Sequence, residues 1–246
     1  MCNTFISGAT GKVGRILIEK VLEDEELELI GGSASKDSKD LGKDLGVLIG
    51  KDLVNVTVTE DISDEKNIDL IIDFSRPQNS IEVLRFANRE NIPMVLGTTG
   101  FSEEEQNVIN EISDRIPLLI APNTSMGIAI FKKILDHSKD VLKIASTIEI
   151  YEKHHENKKD SPSGTALNLK EQLKDILTTE DVNIVSYREG DSPGEHSLKL
   201  TFEGETLEIS HKVSDRFIFA KGAIIAGKWL KNKPPGSYTM QDIYPS

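Results

Sequence analysis

The segment from Glu152 to Ala166 concentrates residues whose types could do chemistry. It holds two adjacent histidines, His154 and His155, together with three lysines and a Ser-Gly-Thr turn at 163–165. A histidine side chain titrates near neutral pH and therefore suits the transfer of a proton. Which element holds each of these side chains follows from the patterns on either side of the segment.

The flanking patterns predict a strand, a loop and a helix. Residues 147–151 alternate β-branched or aromatic residues with polar ones, which predicts a strand. Residues 165–177 carry leucines and an isoleucine at helical spacing. The polar segment is thus predicted to be a strand-to-helix loop. The N–H groups at the start of the helix offer a seat for an anion.

Other interpretations of the histidines stay open at this point. His154 and His155 could be solvated loop residues, and a metal site is a further alternative. No spacing of cysteine or carboxylate residues completes such a site, so no metal is predicted. The remaining histidines are interpreted as structural, with the first of them facing solvent from a helix: His137, His196 and His211.

A second motif follows the first predicted strand, at 4–7. Glycines recur at Gly8, Gly11 and Gly14, between that strand and a helix with one apolar side. A strand, a glycine turn and a helix are the context of a dinucleotide site, although a βα turn with purely conformational glycines is the alternative. The residues predicted to contact a cofactor here are Gly8, Ala9, Thr10, Gly11, Lys12 and Val13.

The end of the strand at 27–33 bears on the choice between NADPH and NADH. An acidic residue there would accept from the ribose 2′-hydroxyl, but Lys36 follows instead and suits a 2′-phosphate. We expect NADPH to be preferred over NADH, with Asp37 as a rival ribose ligand. Loops after two later strands are predicted to approach the nicotinamide half, through Gly97, Thr98, Thr99, Ala121, Pro122, Asn123 and Thr124.

Strands and helices alternate along the first half of the chain. Buried apolar runs at 69–75, 93–96 and 117–120 predict a Rossmann-type, doubly wound parallel sheet of the α/β class. A shorter strand is predicted at 54–58. Residues 1–124 and 216–246 are assigned to this dinucleotide-binding domain.

The segment 125–215 is predicted to be a smaller α+β domain with a mixed sheet, for substrate binding and oligomerisation. It should open with a helix from 125 to about 142, and a hairpin is predicted across the turn at 203–205.

Composition limits the function. The sequence has 29 basic and 41 acidic residues, a net charge of −12, which argues against a nucleic-acid partner. Cys2 is the single cysteine, so an internal disulfide is impossible. The sequence shows neither a signal peptide nor an apolar run long enough for a membrane helix. We expect a cytoplasmic protein without a membrane partner.

Taken together, these motifs resemble the dihydrodipicolinate reductase family. The family's pattern of two histidines, a lysine three residues later and Asp-x-Pro-Ser-Gly-Thr-Ala stands here as His154-His155, Lys158 and 160–166. Further matching segments extend the resemblance to essentially the whole chain: 8–14, 73–77, 97–101, 123–127, 188–190 and 222–223. Ser35-Lys36 replaces the Glu-Arg pair of dual-specificity members, which leaves the balance of NADPH and NADH open.

The resemblance implies NAD(P)H-dependent reduction of 4-hydroxy-tetrahydrodipicolinate to tetrahydrodipicolinate and water, in lysine and diaminopimelate biosynthesis. It implies His154 as the proton donor or acceptor and Lys158 as a second donor that stabilises negative charge. His155, Gly164 and Thr165 would bind the carboxylates of this small dicarboxylate substrate, facing a nicotinamide carried by the first domain. The family commonly forms homotetramers. A dehydrogenase for another substrate and a non-catalytic NAD(P) sensor of the same fold are the alternatives.

Overall fold

The structure, a computed structural model, describes residues 1–62, 67–177 and 182–244. These described residues form two compact units. The first comprises Met1–Thr124 and Phe219–Ile243, and the second comprises Ser125–Ile218 with Tyr244. The sequence predicts the return to the first unit at residue 216, three positions before Phe219.

The first half contains β1 Cys2–Ser7, α1 Lys12–Leu22, β2 Leu27–Ser33, α2 Leu45–Leu48, β3 Val58–Thr59, β4 Leu70–Asp73, α3 Pro77–Glu90, β5 Met94–Leu96, α4 Glu103–Ser113 and β6 Pro117–Ile120. The second half contains α5 Met126–His137, α6 Lys139–Leu142, β7 Thr147–His154, α7 Gly164–Leu177, β8 Asn183–Arg188, β9 Glu195–Phe202, β10 Glu205–Lys212, α8 Phe217–Leu230 and β11 Gly236–Tyr238.

The first unit is built on a parallel sheet. Among the described residues this sheet has seven strands in the order β11-β6-β5-β4-β1-β2-β3, each parallel to its neighbour. Its central strands are buried on both faces, because helices cover a doubly wound sheet on both sides. The Rossmann-type fold predicted from the alternation of strands and helices is confirmed. The tail returns as β11, which pairs with β6.

The second unit carries a mixed sheet. Its strands, as far as the structure describes them, run in the order β10-β9-β7-β8, with β7 and β8 parallel and the other pairs antiparallel. Ile148 and Ile150 of β7 pack with Leu198 and Leu200 of β9 in a core that also contains α5 and α7. The mixed sheet and the hairpin across Glu203 and Gly204 are therefore confirmed.

Several predicted elements differ in extent from the observed ones. The strand predicted at 54–58 is reduced to Val58–Thr59, because Asn55 adopts a left-handed φ of 59° and Val54 N–H donates to Asp44 at 3.1 Å. The helix predicted to run to about residue 142 ends at His137. There Ser138 N–H closes the last turn on the carbonyls of Ile134 and Leu135, and α6 begins afresh.

The strand leading to the histidines is longer than predicted. Instead of ending at Tyr151, β7 continues to His154, so Glu152 and His154 extend the buried face of Ile148 and Ile150. Residues two apart on a strand share a face, and hydrogen bonds compensate the burial of these polar side chains. His154 is therefore a strand residue, and the loop begins one position later.

No helix in the described ranges combines the length and apolar character needed to cross a membrane.

Candidate active site

The glycine turn of the first unit is shaped by close backbone contacts. Gly8 has a φ of +83°, and a Cβ there would lie 2.3 Å from the Phe74 carbonyl oxygen. A Cβ on Gly14 would lie 2.1 Å from the Gly8 carbonyl oxygen, so α1 packs directly against the turn. Gly8 and Ala9 both donate N–H groups to the Ser33 carbonyl, at 3.0 and 2.8 Å. The turn thus fits the tight loop that a dinucleotide pyrophosphate requires.

The other predicted cofactor residues follow neighbouring strands of the same sheet. The loops after β2, β1, β5 and β6 contain Ser35-Lys36, 8–11, 97–99 and 121–124 respectively. Parallel strands end at one edge, so these loops share the carboxyl edge of the sheet, where α/β proteins bind ligands. Thr98 and Thr124 are buried there, whereas Lys36, Thr99 and Pro122 are exposed.

A buried carboxylate connects the loops at this edge through hydrogen bonds. Asp73, the last residue of β4, is fully buried and accepts four short hydroxyl hydrogen bonds. Its donors are Ser7 at 2.6 Å, Ser75 at 2.6 Å, Ser80 at 2.6 Å and Thr98 at 2.7 Å. These hydroxyls belong to the ends of β1, β4 and β5 and to α3. One side chain therefore connects three loops of the candidate cofactor site.

A cavity opens at the glycine turn. The residues around it are Gly8, Thr10, Gly11, Ala34, Ser35, Phe74, Ser75, Arg76 and Asn79. Lys36, the cation predicted for a 2′-phosphate, lies next to this lining at an exposed position rather than in it. Arg76, which is not among the predicted cofactor residues, supplies a cation to the cavity. Its position three residues after the end of β4, at the ligand-binding edge, was the available signal in the sequence.

The second unit holds the predicted catalytic histidine at the end of β7. His154 is 8% exposed, and its Nδ1 is hydrogen-bonded to Oε2 of Glu152. Position 194 is glycine, and a Cβ there would come within 3.1 Å of His154 Nε2. Burial is the largest effect on the pKa of His154 and lowers it. The hydrogen bond and charge of Glu152 raise this pKa, Lys158 and Arg188 lower it further, and the net shift is downward. The ring is therefore neutral at neutral pH.

Glu152 is the centre of the polar contacts in this unit. Its Oε1 accepts from Arg188 Nη2 at 2.7 Å and from the Ser163 backbone N–H at 3.3 Å. Burial alone would raise the pKa of Glu152, but hydrogen bonds from Arg188 and His154 outweigh it and hold that pKa below its ordinary value. Glu152 is therefore an ionised carboxylate inside the protein, compensated by a guanidinium.

A second buried histidine lies beside the first. His196 pairs directly with Glu152 across β9 and β7, and its ring meets that of His154 edge-on with centroids 5.2 Å apart. Its Nε2 lies 3.2 Å from Oγ of Ser163, the residue before α7. Burial, followed by the proximity of His154, lowers the pKa of His196 from 6.5 to about 3. His196 is thus neutral, as the structural interpretation of the sequence requires.

The remaining predicted substrate residues lie on the loop after β7 and at the start of α7. Lys158 forms an ion pair with Asp160 at 2.8 Å. His155 is half-buried, and its backbone N–H donates to the Ser192 carbonyl. Gly164 begins α7 at an exposed position, and space around its missing side chain is open. Within the second unit the structure thus brings His154, Lys158 and the start of α7 onto one strand-loop-helix segment.

The cluster of Glu152, His154 and His196 also has the donor types of a metal site, with one ligand atom from each lying within 4.8 Å of the others. Arg188 already bonds the same carboxylate, and a cation would have to displace the proton between Glu152 and His154. We interpret Glu152 and His154 as a proton-handling pair for this reason. The sequence alone gave one available signal for it, the i, i+2 spacing of Glu152 and His154 on one strand.

Comparison with known proteins gives a consistent result for both halves of the chain. The family model Dihydrodipicolinate reductase, N-terminus, matches residues 2–124, and Dihydrodipicolinate reductase, C-terminus, matches residues 127–244. A curated 4-hydroxy-tetrahydrodipicolinate reductase from Syntrophotalea carbinolica is 35% identical over 263 aligned positions, covering 99% of this chain and 98% of its own.

Two solved structures share the fold. One is a dipicolinate-bound dihydrodipicolinate reductase from Paenisporosarcina sp. TG-14, with a TM-score of 0.81 and 21% identity over 99% of this chain and 100% of that one. The other is an amine dehydrogenase from Mycobacterium smegmatis, with a TM-score of 0.72 and 13% identity over 100% and 96%. At such identities the likeness concerns the fold alone.

Proposed function

This chain belongs to the dihydrodipicolinate reductase family, and from that premise we propose the chemistry of its two units. The chain is an oxidoreductase that reduces 4-hydroxy-tetrahydrodipicolinate to tetrahydrodipicolinate and water, in lysine and diaminopimelate biosynthesis. The observation that carries the proposal is the buried His154 on its ionised partner Glu152, followed by an anion seat at the start of α7.

The first unit binds the nicotinamide dinucleotide, which supplies the hydride when bound. Support comes from the glycine turn, where any Cβ at Gly8 or Gly14 would collide with backbone. NADPH is preferred over NADH in this proposal, because Lys36 and Arg76 offer positive charge where the adenosine ribose lies. The loops at 97–99 and 121–124 hold the nicotinamide half.

The second unit binds the substrate and handles its proton. Lys158 and His155 interact with the two carboxylates, and the backbone N–H groups of Gly164 and Thr165 receive one of them at the start of α7. His154 delivers a proton to the reduced ring from Nε2, because its Nδ1 is committed to Glu152. A net charge of −12 does not prevent this, since cations line the local site.

We also propose that the protein acts in the cytoplasm as a homotetramer. Support for the assembly comes from β10, an edge strand whose Leu207 is 49% exposed, because an uncovered apolar side chain on a sheet edge suits contact with another copy. Light scattering on the purified protein measures this directly, and a mass of one or two chains would contradict the tetramer.

The activity is tested by following the nicotinamide absorbance while substrate is generated enzymatically in the same cuvette. The proposal predicts NADPH oxidation that depends on the substrate and is inhibited by dipicolinate, the ligand of the Paenisporosarcina structure. A sensor of the same fold would bind NADPH without oxidising it, and that result would refute the proposal. A dehydrogenase for another substrate would leave NADPH unchanged in this assay.

A further inference from the structure

Glu152 is only 1% exposed, and polar groups from three parts of the fold converge on its carboxylate. His154 approaches from its own strand, Arg188 from β8, and the Ser163 N–H from the start of α7. A buried carboxylate with this many donors is retained at a considerable desolvation cost, which a hydrophobic residue would avoid.

We propose that Glu152 is the positioning residue of the reaction, which fixes the tautomer of His154 and stabilises its protonated ring. The meaning of this role rests on the proposed reductase function, since His154 acts on substrate only there. Glu152 itself lies behind the histidine and acts through it.

The hydrogen bonds dictate the tautomer. Because Oε2 of the ionised Glu152 can only accept, His154 Nδ1 carries the proton and the neutral ring presents a lone pair at Nε2. Donation from Nε2 then requires a second proton, which the ring takes up from solvent and which makes it an imidazolium next to Glu152. When the Nε2–H bond breaks, the proton goes to the substrate carbon that carries the electron pair left by hydride addition, and the ring returns to neutral.

The charged groups around His154 explain why a carboxylate is needed. Arg188 faces it from β8, Lys158 from the following loop and His196 from β9, and the two cations oppose its protonation. Burial opposes it as well. Glu152 is the group on β7 that favours the imidazolium, and Arg188 and Ser163 keep the carboxylate ionised by occupying its other oxygen.

The first test is nitrogen NMR of the imidazole rings in the full-length wild-type protein. The proposal predicts that neutral His154 carries its proton on Nδ1. Protonation on Nε2 would overturn it. This measurement needs no substrate, so it remains decisive even if the protein fails to oxidise NADPH and the proposed function itself is refuted.

The second test is Glu152→Gln, with Glu149→Gln as matched control. Glu149 lies on the same strand, but its carboxylate bonds Tyr151 instead of His154. Glu152→Gln is expected to lower kcat by about 10²-fold or more, and to move the pH–rate limb of His154 to lower pH, with NADPH affinity unchanged. Glu149→Gln is expected to behave as wild type.

A purely structural role makes a different prediction. If Glu152 were purely structural, Glu152→Gln would lower kcat or stability without moving the pH–rate limb of His154. That result would overturn the proposal. In a His154→Gln background, Glu152→Gln should have no further effect on kcat, because its partner is gone. A further loss of kcat as large as the one in the wild-type background would also contradict the proposal. If Glu152→Gln does not fold, Glu152→Asp keeps the charge and should retain both the Nδ1 tautomer and the pH–rate limb.

Discussion

At the residue scale, His196 shows how burial turns a histidine into a structural group. It is 3% exposed, neutral, and bonded to the serine that precedes α7. Its pKa falls from 6.5 to about 3 chiefly because the charged ring would be desolvated. Between those two values the unfolded chain binds a proton that the folded chain does not.

This difference predicts acid sensitivity. Because the unfolded state binds more protons in that window, stability falls as pH decreases below 6.5. Between about pH 7 and about pH 5, proton uptake by His196 in the unfolded chain should lower the free energy of unfolding by about 2 kcal/mol. Urea unfolding of the wild type and of His196→Gln at both pH values measures the difference. Identical pH dependence of the two proteins would contradict the assignment.

Lys36 allows a second test at the same scale. Lys36→Glu replaces attraction for a 2′-phosphate by repulsion, so the ratio of kcat/KM for NADPH to that for NADH should fall by about tenfold. Lys39→Glu is the matched control, because it reverses an exposed charge three residues away. An unchanged ratio in Lys36→Glu would contradict the contact between Lys36 and the phosphate and would leave Arg76, in the cavity lining, as the candidate.

The sequence predicted His154 and Lys158 as catalytic residues but did not reveal the side chains that contact His154. Glu152 and His196 come together through strand pairing, and His154 and Arg188 are direct partners across β7 and β8. Those contacts depend on the register between strands far apart in sequence, which the local pattern does not encode. The sequence shows which residues share a face of one strand, but it does not show which residues lie opposite them on the neighbouring strands.

At the element scale, Asp73 connects the loops of the cofactor edge. Asp73→Asn keeps one accepting oxygen but replaces the other, which accepts from two hydroxyls, by an NH2 donor. We expect a loss of about 1–3 kcal/mol in stability and a rise of about tenfold in the Kd for NADPH. Calorimetric titration with NADPH measures the second effect, and titration with dipicolinate should be unaffected.

The control for this variant lies at the other end of the same strand. Asp69 accepts the Asn3 backbone N–H at 2.9 Å, just before β4 begins. Asp69→Asn should reduce stability without changing the Kd for NADPH. Equal weakening of NADPH binding in both variants would mean that Asp73 acts through general stability rather than through the loops it bonds.

The elements themselves were largely predictable where local rules decide them. The strands β2 and β6 have the predicted bounds, and a local capping box of Ser102 and Glu105 opens α4. The errors occur where side chains or backbone conformation override the pattern, as at Asn55 and Ser138. The continuation of β7 to His154 needed buried polar partners that no local pattern reveals.

At the scale of the whole molecule, the chain leaves and re-enters its first unit. The two family models meet between residues 124 and 127, at the point where the first compact unit ends. The second family model nevertheless includes the whole of α8 and β11, although the chain is part of the first unit again from Phe219. Small residues make this return possible, since a Cβ on Gly222 would lie 1.8 Å from the Thr124 carbonyl oxygen.

The proposed reaction depends on His154 as the group that handles the proton, separately from cofactor binding. The most direct measurement compares wild type and His154→Gln for kcat of substrate-dependent NADPH oxidation and for the Kd of NADPH. We predict a loss of about 10²-fold or more in kcat, with the Kd changed less than about twofold. Equal losses in turnover and NADPH binding, or full turnover in His154→Gln, would contradict the account.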